Sequence, residues 1–204
     1  MDRRGFIVLG AASVLSGCGV DSTSASDEEI KRAIYRHNGT PRLTLYTMIN
    51  NRSGAGAHTS MLINASQRVI WDPAGSFRSD SIIVRGDVVY GITPYVEDFY
   101  VRFHARETYH VMIQEMDVSA DLAERVLRAF QAHGAVPKAH CANSTTSVLK
   151  ALPEFQSLDV TYYPVKFAEQ FGQFPGVRSR SVYEYDADDK TKVLRDYVPV
   201  AKTE

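Results

Sequence analysis

Residues 58–72 read HTSMLINASQRVIWD, two runs rich in β-branched and apolar residues separated by the polar stretch Asn64–Gln67. Such runs predict two β-strands, and the short polar stretch predicts the hairpin turn that joins them. Because successive side chains of a strand point to opposite faces of a sheet, the number of residues in the hairpin loop decides which side chains share a face.

The apolar side chains of this hairpin favour a loop with an odd number of residues. An odd loop places one nearly apolar set on a common face, namely Thr59, Met61, Ile63, Val69 and Trp71. It places a second set on the opposite face, namely His58, Ser60, Leu62, Ile70 and Asp72. The Asp72 carboxylate is then predicted to lie beside His58, where it can orient the imidazole and stabilise its charged form. An even loop would separate the two side chains.

The sequence around the hairpin predicts further strands and several helices. Strands are expected at Leu43–Ile49, Ser81–Val84, Asp87–Tyr90, Thr108–Glu115 and Val182–Tyr185. Helices are expected from Ser26 as N-cap through His37, and at Pro94–His104, Ser119–His133, Cys141–Leu152 and Pro164–Phe171. Strands gathered ahead of most helices predict a single α+β domain over residues 27–204, with a mainly antiparallel sheet.

The N-terminus has the composition of an export leader. Arg3 and Arg4 precede an apolar run from Phe6 to Leu15, which is about half the roughly 20 residues that a membrane-spanning helix needs. The end of the run, Leu15-Ser16-Gly17-Cys18, resembles the lipobox of bacterial lipoproteins, and Arg3-Arg4-Gly5-Phe6 resembles the twin-arginine signal.

The lipobox resemblance implies a signal peptide at 1–17, removed so that Cys18 can be acylated, for example by palmitate. Residues 18–26 are small and polar in composition and are expected to tether the domain to the membrane. Gly19 stands where an inner-membrane retention signal typically shows Asp. The resemblance therefore implies a lipid-anchored protein of the bacterial cell envelope, on the periplasmic face of the outer membrane.

The charge balance bears on the partners of the chain, which carries 23 basic and 24 acidic residues. Removal of Arg3, Arg4 and Asp2 with the leader leaves 21 basic and 23 acidic residues, a net charge of −2. This composition predicts no nucleic-acid partner. The predicted partner is the membrane, which acyl chains at Cys18 can enter without a basic patch.

Cys141 is the candidate nucleophile. With Cys18 acylated it has no disulfide partner, although exported compartments favour disulfides. It follows the loop Gly134–His140 and opens a predicted helix, where unpaired N–H groups and the helix dipole favour the thiolate. The same N–H groups can hold a developing oxyanion. Of the six histidines, His58 is the best candidate for the base, because the small residues Gly54–Ala57 precede it and leave space for a ligand.

The chain order His58, Asp72, Cys141 resembles that of the circularly permuted papain-like thiol hydrolases, the NlpC-like group with its acyltransferase relatives. The resemblance covers about Leu43 to Leu152 and rests on order, spacing and element type. It implies a permuted papain-like domain that performs acyl transfer through a thioester, without a cofactor or metal.

The roles that this resemblance implies fall on three residues. Cys141 would be the nucleophile, His58 the general base and then acid, and Asp72 the orienting residue. The backbone N–H of Cys141 would form part of the oxyanion hole, with Tyr46 and Asn143 as candidates for the second donor. The substrate would be a peptidoglycan peptide amide, a protein amide or an acyl-lipid ester, and the expected location favours the cell-wall peptide.

Two other interpretations are open from the sequence. His133, His140 and Cys141 lie near one another in the chain and have side chains that zinc or copper can bind, although their spacing matches no standard zinc pattern. Alternatively, the chain is a non-catalytic envelope lipoprotein that serves as a binding or structural module. A buried Cys141, or a His58 that faces away from it, would indicate this second interpretation.

Overall fold

The computed structural model describes residues 24–195 and residue 197. The predicted leader at 1–17, the lipidation site Cys18 and most of the tether at 18–26 lie outside the described residues. In the described part of the chain, no helix combines the length and the apolar character that a membrane span requires.

One sheet forms the centre of the domain, with strands in the order β4-β5-β3-β2-β1-β6-β7. The strands are β1 (Arg42–Asn50), β2 (Gly56–Asn64), β3 (Arg68–Trp71), β4 (Val84–Arg85), β5 (Val88–Val89), β6 (Tyr109–Asp117) and β7 (Arg178–Val182). Each neighbouring pair is antiparallel. The helices are α1 (Asp27–Ala33), α2 (Pro94–His104), α3 (Ala120–His133), α4 (Cys141–Lys150), α5 (Pro164–Phe171) and α6 (Lys190–Arg195). The predicted α+β class with a mainly antiparallel sheet is confirmed.

The β2–β3 hairpin has the predicted odd loop. Asn64 pairs with Arg68 and Met61 with Trp71, so the loop consists of residues 65–67. Continued by one residue, the same register sets Asp72 opposite Ser60, and His58 lies two positions further along the same face. The predicted neighbourhood of His58 and Asp72 therefore follows from the register of this hairpin.

The apolar face of the hairpin packs against α3, α4 and α5. Trp71 is fully buried, and its ring stacks on Phe130 of α3 with 5.0 Å between ring centroids. Its Nε1 donates a hydrogen bond to Thr145 Oγ1 of α4 at 3.0 Å, and Thr145 Oγ1 in turn donates to the carbonyl oxygen of Cys141 at 2.8 Å. These contacts hold the first turn of α4 against the sheet.

The face that carries His58 and Asp72 is buried as well, because α2 and Phe77 cover it. Tyr100 of α2 and Phe77 are fully buried against Leu62 and Ile70. The hairpin is therefore an interior element with helices on both sides.

Several element bounds differ from the expected ones for local reasons. Helix α1 has the predicted Ser26 capping box but ends at Ala33. Strands β4 and β5 have two residues each, because the turn between them contains Gly86 and Asp87 with positive φ. Strand β7 lies before the predicted Val182–Tyr185, since its polar residues 178–181 pair through the backbone at an exposed edge. Helix α6 was not predicted from the sequence.

Candidate active site

His58 and Asp72 contact each other directly. His58 Nε2 lies 2.8 Å from Asp72 Oδ1. A β-bulge precedes His58, because Met48 pairs with His58 while Ile49 pairs with Gly56. Bulges bend a strand and change the direction of a neighbouring side chain, and this one lies at the end of the sheet where α4 begins.

Asp72 is buried among groups that hold its carboxylate in place. Asp72 is 3 % exposed, and the Tyr100 hydroxyl donates to Asp72 Oδ1 at 2.7 Å. Burial alone would raise the pKa of Asp72, yet the hydrogen bond and positive charge of His58 hold that pKa well below its ordinary value. The carboxylate is therefore charged over the whole pH range in which the fold would operate.

Cys141 begins α4 with its side chain directed at His58. The His58 side chain and the backbone N–H groups of Thr59 and Ala142 lie near enough to the thiol to lower its pKa. Since Asp72 occupies Nε2 of the ring, Nδ1 is the nitrogen left to face the sulfur. The side chains of the predicted triad thus form one continuous chain of contacts.

Electrostatics favour an ion pair between the two reactive groups. Burial raises the pKa of the Cys141 thiol, but the hydrogen bond and charge of His58 and the two backbone N–H groups outweigh it, so the pKa falls below its ordinary value. Burial lowers the pKa of His58, but the hydrogen bonds and negative charges of Asp72 and Cys141 raise it to about 10. Near neutral pH this arrangement favours thiolate and imidazolium over thiol and imidazole.

His104, at the end of α2, forms the surface behind His58. The two rings are stacked with 6.0 Å between centroids. Burial lowers the pKa of His104 to about 3, with the charges of Lys190 and His58 acting in the same direction. The neutral ring donates from Nδ1 to the Tyr100 carbonyl oxygen at 2.9 Å, so it packs against the His58 imidazole without adding charge.

The chain before Cys141 leaves the helix N-terminus without a side-chain cap. Ala139 has a φ of 65°, a left-handed conformation that costs a non-glycine residue about 1–2 kcal/mol. His140 is the N-cap residue, but its side chain forms no cap hydrogen bond; its Nδ1 donates to the Lys138 carbonyl oxygen at 2.9 Å. No side-chain cap therefore occupies the N–H groups of the first turn, and the role of the Cys141 N–H as an oxyanion donor stays a prediction.

Of the two candidates for the second oxyanion donor, Tyr46 was wrong. Its residue is fully buried under α2, and its hydroxyl donates to Glu97 Oε1 at 2.6 Å. Because its hydroxyl hydrogen is engaged by Glu97, Tyr46 has no donor to offer an oxyanion. Asn143 is partly exposed in the first turn of α4, and its side chain forms no hydrogen bond to the described residues.

Asp87 connects the loop of Asp72 to the loop of Cys141, and this role was not predicted from the sequence. Its residue is 3 % exposed, and its φ of 64° is left-handed. Its carboxylate accepts from the Ala74 N–H at 2.8 Å, from the Val136 N–H at 2.9 Å, and from the Arg78 guanidinium. Its carbonyl oxygen accepts from the Asp72 N–H at 2.8 Å. We refer to Asp87 and these partners as the Asp87 clasp.

Gly75 leaves the space that the Asp72 carboxylate occupies. A Cβ added at Gly75 would lie 1.8 Å from Asp72 Oδ2 and 2.1 Å from its carboxyl carbon. Gly75→Ala is therefore expected to displace the carboxylate from His58 and to slow Cys141 alkylation near neutral pH by roughly tenfold, since thiolate formation depends on the His58 charge.

The measurement is the rate of Cys141 carboxamidomethylation by iodoacetamide in the purified domain. Gly176→Ala is a control for backbone strain in a loop: its φ of 77° disfavours any side chain, but nothing lies within 4 Å of the added Cβ. Equal alkylation rates for the Gly75→Ala and wild-type proteins would show that activation of Cys141 does not depend on the observed position of the Asp72 carboxylate.

The predicted metal grouping does not form among the described residues. His133 packs edge-on against Trp71, whereas the His140 ring contacts Tyr162. In the part of the chain that the structure describes, no group of three His, Cys, Asp or Glu side chains converges as metal ligands would.

Comparison of the chain with protein-family models, curated proteins and solved structures gives no match. The functional assignment therefore rests on the geometry and electrostatics of the site, with the resemblance to permuted papain-like hydrolases as a hypothesis.

Proposed function

We propose that the protein is a thiol hydrolase or acyltransferase that cleaves an amide or ester through a thioester on Cys141. The observation that carries the proposal is the unbroken contact from Asp72 through His58 to the Cys141 sulfur at a helix N-terminus. Each group has the charge that its role requires: an anion at Asp72, a cation at His58 and a thiolate at Cys141.

The reaction has two halves that use the same residues. The Cys141 thiolate attacks the carbonyl carbon, a carbon–sulfur bond forms, and the carbonyl electron pair moves onto oxygen beside the Cys141 N–H. Collapse of this intermediate breaks the bond to the leaving nitrogen or oxygen, which takes the proton of the His58 imidazolium. Neutral His58 then removes a proton from water or an acceptor, whose attack on the thioester releases the product acid or acyl compound and restores the thiolate.

The proposed setting is the bacterial cell envelope, with acyl chains at Cys18 as the anchor. This proposal rests on the N-terminal sequence, and it favours a cell-wall peptide as substrate over a protein amide or an acyl-lipid ester.

The test is the formation of an acyl-enzyme with an activated ester. Mixing the domain with p-nitrophenyl acetate is expected to release a burst of p-nitrophenolate, equal in amount to the enzyme, and to add one acetyl group to the peptide that contains Cys141. Cys141→Ala should show neither effect. Cys141→Ser, which replaces the thiol by a hydroxyl of similar size, tests whether acylation requires sulfur. A stable, folded wild-type domain without acetylated Cys141 would overturn the proposal.

The pH dependence of acylation should reflect the ion pair. With an amide substrate, whose leaving nitrogen has to be protonated, acylation needs thiolate and imidazolium together. The rate is then expected to rise with pH as Cys141 ionises, below the ordinary thiol range, and to decline as His58 loses its proton at a pH of about 10. A rate that continues to increase through pH 10 would contradict a role for the His58 proton.

One observation favours the non-catalytic alternative. Cys141 is only 6 % exposed, as expected of a cysteine that serves packing. A packing role does not account for the orientation of His58 toward the thiol or for the lowered pKa of Cys141. The acetylation experiment separates the two functions, since a binding or structural module would form no thioester.

A further inference from the structure

A pocket of about 300 Å³ lies on the side of His58 where the sheet meets α6. Residues of six segments form its wall, among them Met48, His58, Gly75, His104, Tyr109 and Lys190. Its volume is at the lower end of the range for small-molecule pockets. His58 belongs to the pocket wall and also contacts the nucleophile, so the pocket opens directly beside the proposed reaction centre.

Lys190 brings a positive charge into this pocket without a fixed partner. Its Nζ lies 4.9 Å from the centroid of the Phe103 ring, but Lys190 forms no hydrogen bond or ion pair to the described residues. Asp72 and Asp188 attract it at longer range and Arg106 repels it. Asp72 already accepts from His58 and Tyr100, and Asp188 accepts from Thr108. The donors of the ammonium group are therefore available to a ligand.

The proposed mechanism determines which part of a substrate can reach this pocket. His58 must protonate the leaving nitrogen, and a proton donor has to lie within hydrogen-bond distance of the atom that it protonates. The leaving group is therefore on the His58 side of the scissile bond, and the acyl group is on the side of the Cys141 sulfur. Atoms attached to the leaving nitrogen would enter the pocket beside His58.

We infer that this pocket is the leaving-group subsite and that Lys190 selects an amine that bears a carboxylate. The inference rests on the proposed function and defines its substrate class: an amide whose released amine is an amino acid or a short peptide with a free carboxylate close to the amine. A carboxylate matches the unpaired ammonium in charge and in hydrogen bonding. The small volume disfavours a long leaving group.

Microscopic reversibility provides the test, because an amine that attacks the acetyl-enzyme must occupy the leaving-group subsite. The acetyl-enzyme is formed from p-nitrophenyl acetate and divided between L-alanine and L-alaninamide, which differ in charge at the carboxyl position. The measured quantity is the ratio of N-acetylalanine to N-acetylalaninamide at equal amine concentrations. Comparing this ratio between variants cancels the difference in amine basicity.

Lys190→Met is expected to lower the ratio roughly tenfold, as the loss of one charge-assisted contact predicts. Lys190→Arg should keep most of the selectivity, because it keeps the charge. Lys192→Met is the matched control: Lys192 belongs to the same helix but is exposed, and the wild-type ratio is expected. Acetylation of Cys141 in each variant shows that the site is assembled.

Two results would overturn the inference in different ways. Normal acetylation with an unchanged ratio in Lys190→Met would reject the carboxylate subsite and leave the proposed thioester chemistry in place. A wild-type domain that forms no acetyl-enzyme would reject the proposed function, and the subsite with it.

Discussion

Replacement of His58 by alanine is expected to slow Cys141 alkylation near pH 6.5 by roughly tenfold and to lower acyl transfer by about 10²–10⁴. Without His58, burial of the thiol is opposed only by two backbone N–H groups. An ordinary thiol with a pKa of about 8.5 is only about 1 % thiolate at pH 6.5, and the lower intrinsic nucleophilicity of a stabilised thiolate offsets part of that difference. The larger effect on acyl transfer reflects the lost proton donor.

The measurement is the rate of iodoacetamide alkylation of Cys141 between pH 5 and 10, with acyl transfer from an amide measured in parallel, because an amide nitrogen needs a proton donor to leave. The wild-type profile should reach its plateau at a lower pH than the variant profile. His110→Ala is a matched control, since His110 hydrogen-bonds Asn51 Oδ1 at 2.8 Å and stacks on Tyr183, away from the thiol. If His58→Ala and wild type have superimposable profiles, Cys141 is not activated by His58.

The relation between His58 and Asp72 could be predicted from the sequence because it depends on short-range geometry. The alternation of Met61, Ile63, Val69 and Trp71 permits only an odd loop if one face is to be apolar. The loop of residues 65–67 satisfies this condition. The position of Cys141 at the start of α4 could be predicted for a similar reason, since a loop that contains Pro137 precedes the helix.

The contacts that complete the site could not be predicted, because they join segments far apart in the chain. Tyr100 looks like any aromatic residue on an amphipathic helix, yet its hydroxyl reaches Asp72 28 residues away. Lys190 belongs to a helix that the sequence did not indicate, and it reaches the site only after the chain has crossed the sheet. The error on Tyr46 has the same origin: its face was predictable, but the Glu97 carboxylate that accepts its hydrogen bond comes from another element.

The clasp also shows why Asp87 was overlooked: in the sequence, Gly86-Asp87 has the composition of an ordinary turn. In the structure, the carboxylate replaces the backbone partners that Ala74 and Val136 would otherwise need. Because one loop carries the orienting acid and the other leads to the nucleophile, the clasp sets the distance between them. Asp87 is accordingly a positioning residue, and its contribution to stability and its effect on the thiol should be separable.

Asp87→Asn is expected to destabilise the domain by about 2–3 kcal/mol and to slow Cys141 alkylation. Oδ2 of Asp87 accepts from both backbone N–H groups and Oδ1 accepts from Arg78. The amide keeps the size of the carboxylate, but its NH₂ group has to face either the Arg78 guanidinium or both N–H donors, and the buried anion is lost. Stability is measured by urea unfolding, and alkylation is measured in the folded state below the unfolding transition. Loosening of the loop before Cys141 should also move the alkylation profile toward the ordinary thiol range.

Glu97→Gln distinguishes this positioning role from general loss of stability. Glu97 pairs with the mostly buried Arg68 and accepts from Tyr46 at the other end of the α2 face, so its loss should cost a similar free energy of unfolding. Glu97 does not contact the loops of Asp72 or Cys141. The alkylation profile of Cys141 in Glu97→Gln should therefore remain that of the wild type. If Asp87→Asn and Glu97→Gln have equal alkylation profiles, the Asp87 clasp is only a stabilising contact. If the profile shifts in Asp87→Asn alone, the β4–β5 turn controls the geometry of the Cys141–His58 pair.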